Sequence, residues 1–464
     1  MRDWRNKHNY TILGLLLGLL FSMISTITAQ QTAEPTYNSP YSILGLGDLV
    51  DQPFAANAGM AGLSAAYHDA YHINSLNPAS LGWLRTTAFE TAIFGRYAQL
   101  NAGEQSDGVW SGNLNYIALG FPLRNPINEA LDRIIPDFGA GMMFVLIPYS
   151  TASYDIETSR VLNSESGLTT REAFQGTGGT YRLNWGTGIR YKTFSAGVNL
   201  GYLFGRINNT RQAFLTDAGV YYFDDFADDI NVNGLIWNVG LNYDVVFKAV
   251  DNKGELKPTG KRLAFGLYGN SNSGFSTKSD RLYRRVYSIL DAQTLPLSER
   301  SDTLVNDIGV DEKGTLPASF TFGVHYEDQN KLIIGAEYSS SLWSNYTNEA
   351  KPDALNDSYR ISGGIEWTPD YLSYNNYFER IRYRLGAFYQ TDPRSFNGEQ
   401  LTKVGATLGL GFPLVLPRQQ TSFINLAVEA GQFGLEEAIN ENYIKFTLGF
   451  TLNDNSWFFK RKYE

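Results

Sequence analysis

The chain contains no cysteine. That absence excludes a disulfide framework, a thiol nucleophile, a thiolate metal site and a lipidated N-terminal Cys. Long apolar runs are scarce too. Residues 12–24 form one, behind Arg2, Arg5 and Lys7 and ahead of the small Ala29. It is too short to favour a spanning helix and reads as a secretory signal peptide over residues 1–29. No later run approaches a transmembrane helix in length, so any membrane insertion has to be by strands closed into a barrel. Basic excess is lacking as well: the net charge of −9 argues against nucleic acid as a partner.

Histidine is sparse, with four in the whole chain, and His8 belongs to the signal peptide. His68 and His72 stand four apart around Asp69, a spacing that could set two imidazoles on one helical face as in a zinc site, but no convincing third ligand accompanies them. A packed surface or a pH-sensitive contact is the plainer reading. His325 is the one histidine in a strand pattern. Without a G-x-S-x-G elbow, nucleophilic catalysis has no partner set. The chain therefore reads as a non-enzyme with no cofactor.

What the chain does have is aromatic residues, glycine and alternation. It carries 29 Tyr, 28 Phe and 45 Gly, as aromatic girdles and tight turns demand. The hydrophobic share of 43% is that of a wall in which every second residue faces lipid. Near the C-terminus Ile444, Phe446, Leu448, Phe450 and Leu452 share one face, and Tyr443, Lys445, Thr447, Gly449 and Thr451 the other. The same period of two runs through Leu235, Trp237, Val239, Leu241 and Tyr243, and through Phe320, Phe322, Val324 and Tyr326.

Fourteen strands follow from this pattern, near 87–99, 110–123, 138–158, 169–191, 194–214, 231–247, 262–287, 315–326, 331–346, 358–368, 380–391, 402–413, 421–433 and 442–452. An even number puts both ends of the barrel on the periplasmic side. Tight turns are expected at Lys192-Thr193 and Asp328-Gln329-Asn330 on one side, and the longest connections, 211–230 and 279–314, on the other. The fold class is all-β: a transmembrane antiparallel barrel of about fourteen strands over residues 86–454, with a tail at 455–464.

Ahead of the barrel, residues 30–56 read as a polar periplasmic arm, broken by Pro40 and Pro53. Residues 57–85 are small and rich in Gly and Ala, and bury little apolar area by themselves. Such a segment next to a closed sheet is most simply packed inside it, as an N-terminal hatch.

One strand departs from the alternation. From Phe138 it is apolar on both faces, with Met143, Val145 and Ile147 where lumen residues are expected, and Pro148 removes a ladder hydrogen bond. Either these residues pack against the hatch, or the kinked strand opens a lateral window to the bilayer. Charges of both signs are predicted on the lumen face: Arg182, Arg190, Asp244, Glu337, Glu366, Arg382, Arg384, Glu429 and Lys445. They are expected to pair with one another and with the hatch. Arg382 and Arg384 have the alternative of receiving a ligand carboxylate. The acidic run 224–229 lacks the spacing of a calcium loop and reads as a solvated loop. Gly176, Gly178 and Gly179 precede a strand, so they form no phosphate cradle.

Asn57-Ala58, Ala61-Gly62, Ala65-Ala66, Asn77-Pro78-Ala79 and Leu81 resemble the hatch of FadL-type long-chain fatty acid and hydrocarbon transporters. The resemblance implies a fourteen-stranded barrel of the Gram-negative outer membrane with an N-terminal plug. It also implies a hatch centred on Asn77, Pro78 and Ala79, and a lateral opening at the third strand, here Met143, Val145, Ile147 and Pro148. The implied function is passive, porin-like uptake of a small hydrophobic or amphipathic molecule, with outer-membrane lipid as the other partner. Three features depart from the family: Ser80 after Asn-Pro-Ala, the polar arm, and the tail residues 457–462. The arm and tail resemble the Bacteroidetes branch, which includes PorV-like barrels of type IX secretion. That branch implies the alternative, an accessory barrel held by a membrane protein of a secretion complex.

Overall fold

The structure, a computed structural model, describes residues 39–51, 54–124, 136–163, 168–217, 220–250, 254–288, 299–416 and 420–454. The signal peptide expected at 1–29, the start of the arm at 30–38 and the tail at 455–464 lie outside the described residues.

Fourteen barrel strands follow one another. They are β1 (Thr87–Ala102), β2 (Gln105–Pro122), β3 (Phe138–Thr151, resuming at Tyr154–Asn163), β4 (Leu168–Tyr191), β5 (Phe194–Asp217), β6 (Val220–Val250) and β7 (Leu256–Asn270, resuming at Ser273–Ser288). The rest are β8 (Glu299–Leu316, resuming at Ser319–Asp328), β9 (Leu332–Ser341), β10 (Ser358–Trp367), β11 (Arg382–Phe396), β12 (Glu399–Leu416), β13 (Gln420–Gly434) and β14 (Asn440–Asp454). Neighbours in sequence pair antiparallel, and β14 pairs with β1 from Asn440↔Asn101 to Asp454↔Thr87. That last ladder closes the sheet into a barrel.

The period of two decides which side chain faces where. On β14, Ile444, Phe446, Phe450 and Leu452 are exposed on the outer wall, while Tyr443, Thr447 and Thr451 are buried. On β6, Leu235 through Tyr243 alternate outward and Asn242 and Asp244 are buried. An outer wall of large apolar side chains is a surface for lipid.

Both tight turns stand where expected, with Lys192 and Asn330 at positive φ, and they lie at one end of the barrel. The expected long loops do not. Most of 211–230 and 279–314 is strand, and β6 runs for 31 residues where about ten cross a bilayer. The acidic run 224–229, expected as a loop, is part of this extension. Its carboxylates pair across strands: Asp224 with Arg285, Asp225 with Arg284 and Asp229 with Arg206. Cross-strand ion pairs and β-favouring aromatics continue the ladder where neither face needs to be apolar, which is why the hydrophobic pattern stopped short.

The segment 54–85 lies against the inner faces of the wall. A methyl group on Gly197, Gly240, Gly266, Gly386, Gly409 or Gly449 would overlap Pro78, Asn77, Ala65, Ala61, Gly59 or Ala55 respectively. Those glycines belong to β5, β6, β7, β11, β12 and β14, so the segment is approached from around the circumference. Its apolar side chains Phe54, Ile73 and Leu81 form one core with Tyr116 of β2 and Met143, Val145 and Ile147 of β3.

The described part of residues 30–56 is tied to the barrel. Tyr41 bonds Ile439, Gly45 bonds Asp353 and Asp48 pairs with Arg394. Those partners lie at the barrel end opposite to Thr87 and Asp454. The chain therefore threads the barrel from that far end toward the start of β1.

Candidate functional site

The site is the interior that holds residues 54–85, together with the wall beside β3. Asn77 heads the short 3-10 helix Pro78–Trp83: its Oδ1 accepts from the Ala79 N–H at 3.0 Å. Its Nδ2 donates to the Ala65 carbonyl at 2.6 Å, and its amide faces that of Asn242. Asn77, Pro78 and Ala79 are thus buried at the meeting of two passes of the segment with β5 and β6.

Wall polar groups hold the rest. Glu337 accepts the N–H groups of Ser64 and Ala65 at 2.7 and 2.6 Å and the Ser64 hydroxyl at 3.1 Å. Asn199 and Asn238 donate to the Ser75 and Leu76 carbonyls. Thr407 bonds both Ala61 and Gly59. These groups satisfy backbone that the segment, having almost no regular structure, cannot pair internally.

The charges expected in the lumen are there, and they are engaged. Arg384 donates to Glu366 at 2.6 Å and to Asn425 at 2.8 Å, and Arg382 pairs with Asp69 at 2.8 Å and lies over the Phe423 ring. Both guanidinium groups are therefore already held by carboxylates of this chain. His68 meets Asp244 at 3.1 Å and stacks on Trp83, whose other neighbours are the guanidinium groups of Arg190 and Arg262. His72 turns to Glu90 and Thr451 instead. The two imidazoles diverge to separate carboxylates, and no metal-ligating group is assembled among the described residues. His325 packs beside the Tyr67 ring.

Burial alone would raise the Asp69 carboxyl, but Arg382 beside it and the Tyr71 N–H hold it well below the ordinary aspartate range. A carboxyl depressed in the folded state stabilises it above the unfolded pKa and loses that effect only as pH falls through the lower value. Protease resistance of 57–85 is accordingly expected to stay level from neutral pH down to about 4 and to fall below it. A loss already at pH 6 would contradict this.

The wall is weakest beside β3. β2 and β3 share only six paired residues, from Ile117↔Leu146 to Pro122↔Gly141, whereas β1 and β2 pair along their whole length. Beyond Leu146, β3 turns away. Its ladder to β4 slips between Pro148 and Ser150, and opposite lie Gly178 and Gly179 with φ of 107° and 148°, a backbone open to glycine. Here the described arm takes the place of β2. Leu49 pairs with Ser150, Asp48 with Thr151, and the Val50 N–H donates to Tyr149. Met143, Val145 and Ile147 line the inside of this seam, and all three are buried against the segment.

A sequence model of one family, described as BamG, matches residues 14–464. The chain belongs to the BamG family. That family is distinct from the FadL-type one which the Asn-Pro-Ala region resembles. The likeness to FadL-type barrels is one of fold. A Pseudomonas aeruginosa FadL homologue superposes on this BamG-family chain with a TM-score of 0.54 at 12% identity, over 88% of this chain and 99% of the other. The Ralstonia pickettii toluene transporter TbuX gives 0.49 at 12% identity, over 87% and 98%. The Pseudomonas putida toluene transporter TodX gives 0.48 at 13% identity, over 88% and 99%. No curated protein matches.

Glu90, Asn199 and Thr407 were not singled out from the sequence, although Glu90 is a lone charge in an apolar stretch and the signal was available there. Asn199 and Thr407 give none, because a small polar residue on an inward face looks the same whether it meets water or backbone.

Proposed function

We propose that this BamG-family chain is a channel of the Gram-negative outer membrane for small hydrophobic or amphipathic molecules, long-chain fatty acid-like in character. Residues 57–85, centred on Asn77, Pro78 and Ala79, act as its hatch, and the β2–β3 seam beside Pro148 is its lateral exit into the bilayer. The observation that carries this is the six-residue ladder between β2 and β3, set directly outside the apolar core of Phe54, Ile73, Leu81, Met143, Val145 and Ile147. A lipophilic molecule released there meets apolar side chains inside and acyl chains outside, with no polar layer to cross. The fold shared with the Pseudomonas aeruginosa FadL homologue is consistent with that route.

The test is uptake of a labelled long-chain fatty acid by vesicles carrying the purified protein. Pro148→Val restores a ladder donor at the kink and is expected to slow uptake about tenfold while leaving the barrel folded. Unchanged uptake would remove the lateral exit.

A second reading is favoured by the density of ion pairs and hydrogen bonds on the segment. In it the hatch stays shut and the barrel is a PorV-like accessory subunit of a protein secretion complex. Stable co-purification with a larger membrane protein, without bound lipid, is its expected signature.

A further inference from the structure

The seam has two sides, and among the described residues a strand pairs with one of them. β3 exchanges its neighbour β2 for the arm at Tyr149–Thr151, so its edge is bonded from within the barrel. β2 receives no strand in return among the described residues. From Gln105 to Tyr116 its ladder to β1 is its one strand neighbour among the described residues. The Gly108 and Leu114 N–H groups turn instead to the side chains of Asp107 and Asn113. From Gly108 to Leu114, ahead of the register shift at Asn115, even-numbered residues thus aim their backbone away from β1, and by the alternation of a strand Trp110 and Gly112 do so with Gly108 and Leu114.

The height of this edge matters. Trp110 packs against Tyr97 on the outer wall with ring centroids 5.0 Å apart and the planes tilted by 47°, and is 70% exposed. Leu114, Ile117 and Leu119 continue below it as exposed apolar residues. The stretch from Trp110 to Tyr116 therefore belongs to the lipid-facing band, with the aromatic pair at its rim. Open sheet edges do not face hydrocarbon, because nothing in the bilayer core can satisfy the unpaired backbone groups. A lipid tail or a small apolar ligand offers no donors or acceptors at strand spacing. An extended polypeptide offers both.

We propose that the bare edge of β2, from Gly108 to Leu114, is a docking strand to which an extended segment of a partner membrane polypeptide adds as a neighbouring β-strand. The chain already uses this mode of pairing at the same seam, where Asp48 and Leu49 add to β3. The lipid side of the edge reads Gly108, Trp110, Gly112, Leu114, so the partner's large apolar residues belong opposite the two glycines. Its inner side reads Asp107, Val109, Ser111, Asn113, which suits small polar residues and a cation near Asp107. The proposal rests on the seam and not on passage of a ligand through it.

The absence of cysteine makes the test clean. In the full-length protein in its native membrane, single cysteines replace Ser111 or Asn113 on the edge, or Leu385 on the fully paired wall, and carry benzophenone maleimide for photocrosslinking. Polypeptide adducts are expected from the two edge positions, and lipid adducts alone from Leu385. Trp110→Pro deletes one seam-facing N–H and is expected to cut the edge adducts about tenfold, whereas Trp110→Thr, which keeps it, does not. Heat-modifiable mobility reports that each variant is inserted; should Trp110→Pro fail to insert, the contrast between edge and wall positions still decides. Lipid adducts alone at the edge, adducts to a second copy of this chain, or adducts indifferent to the proline would each overturn the proposal. Fatty acid uptake is measured separately in vesicles of the purified protein, so loss of docking and loss of transport are distinguished.

Discussion

Excision of residues 57–85, with the ends rejoined through a linker of about six Gly/Ser residues, is expected to leave an inserted barrel that conducts ions freely. The wall does not need the segment for closure. β14 and β1 pair from Thr87 to Asn101 through backbone alone, and the lipid-facing side chains are untouched. The interior does need it. Gly197, Gly240, Gly266, Gly386 and Gly409 have no side chains to fill the space that Gly59 to Pro78 now occupy. Glu90, Asp244, Glu337 and Arg382 would lose their partners in the segment and, in an open lumen, gain water. That hydration spares the wall the cost of stranded buried charge. Conductance in planar bilayers should rise from silence to a steady porin-like current, with heat-modifiable mobility retained. A variant that fails to insert would show that the segment is part of the barrel's fold. A variant that inserts and stays silent would show that something other than 57–85 closes the lumen.

Glu337→Ala should loosen the same segment without removing it. The carboxylate is the shared acceptor for the Ser64 and Ala65 N–H groups and the Ser64 hydroxyl, and it is buried. Alanine leaves the two backbone donors unmatched, at about 1–3 kcal/mol each, while the Ser64 hydroxyl keeps Tyr268. The β8–β9 and β9–β10 ladders at this position run through backbone and persist, Glu337 standing opposite Gly323 and Ser362. The loss should therefore be local. Amide exchange at 60–70 should accelerate by at least about thirtyfold, while strand amides keep their protection. Glu337→Gln retains an acceptor oxygen and should fall between. Uniform acceleration over the barrel, or none at 60–70, would refute the local assignment.

The outer surface was legible because lipid imposes a strict rule. Leu235, Trp237, Val239 and Leu241 must alternate outward, so strand number, parity and the Lys192-Thr193 and Asp328–Asn330 turns could be read directly. The strand extensions escaped that reading. Asp224, Asp225, Arg284 and Arg285 stand where no face needs to be apolar, and a charged strand then resembles a loop. For Arg382 and Arg384, only the folded partners, Asp69 and Glu366, show that a chain carboxylate already holds each.

The closed antiparallel wall follows from the residue pattern alone, since a period of two repeated across fourteen strands satisfies both backbone and lipid only in a closed barrel. Tertiary structure alone decided the course of residues 39–85. Their backbone groups bond residues hundreds of positions away, such as Glu337, Asp353 and Arg394, and a segment without its own periodicity carries no sign of which groups will complete it. It likewise decided that Asp48 and Leu49, not β2, lie beside the far half of β3. That pairing depends on where Pro148 and Gly178 bend the wall, a matter of space that no local pattern records.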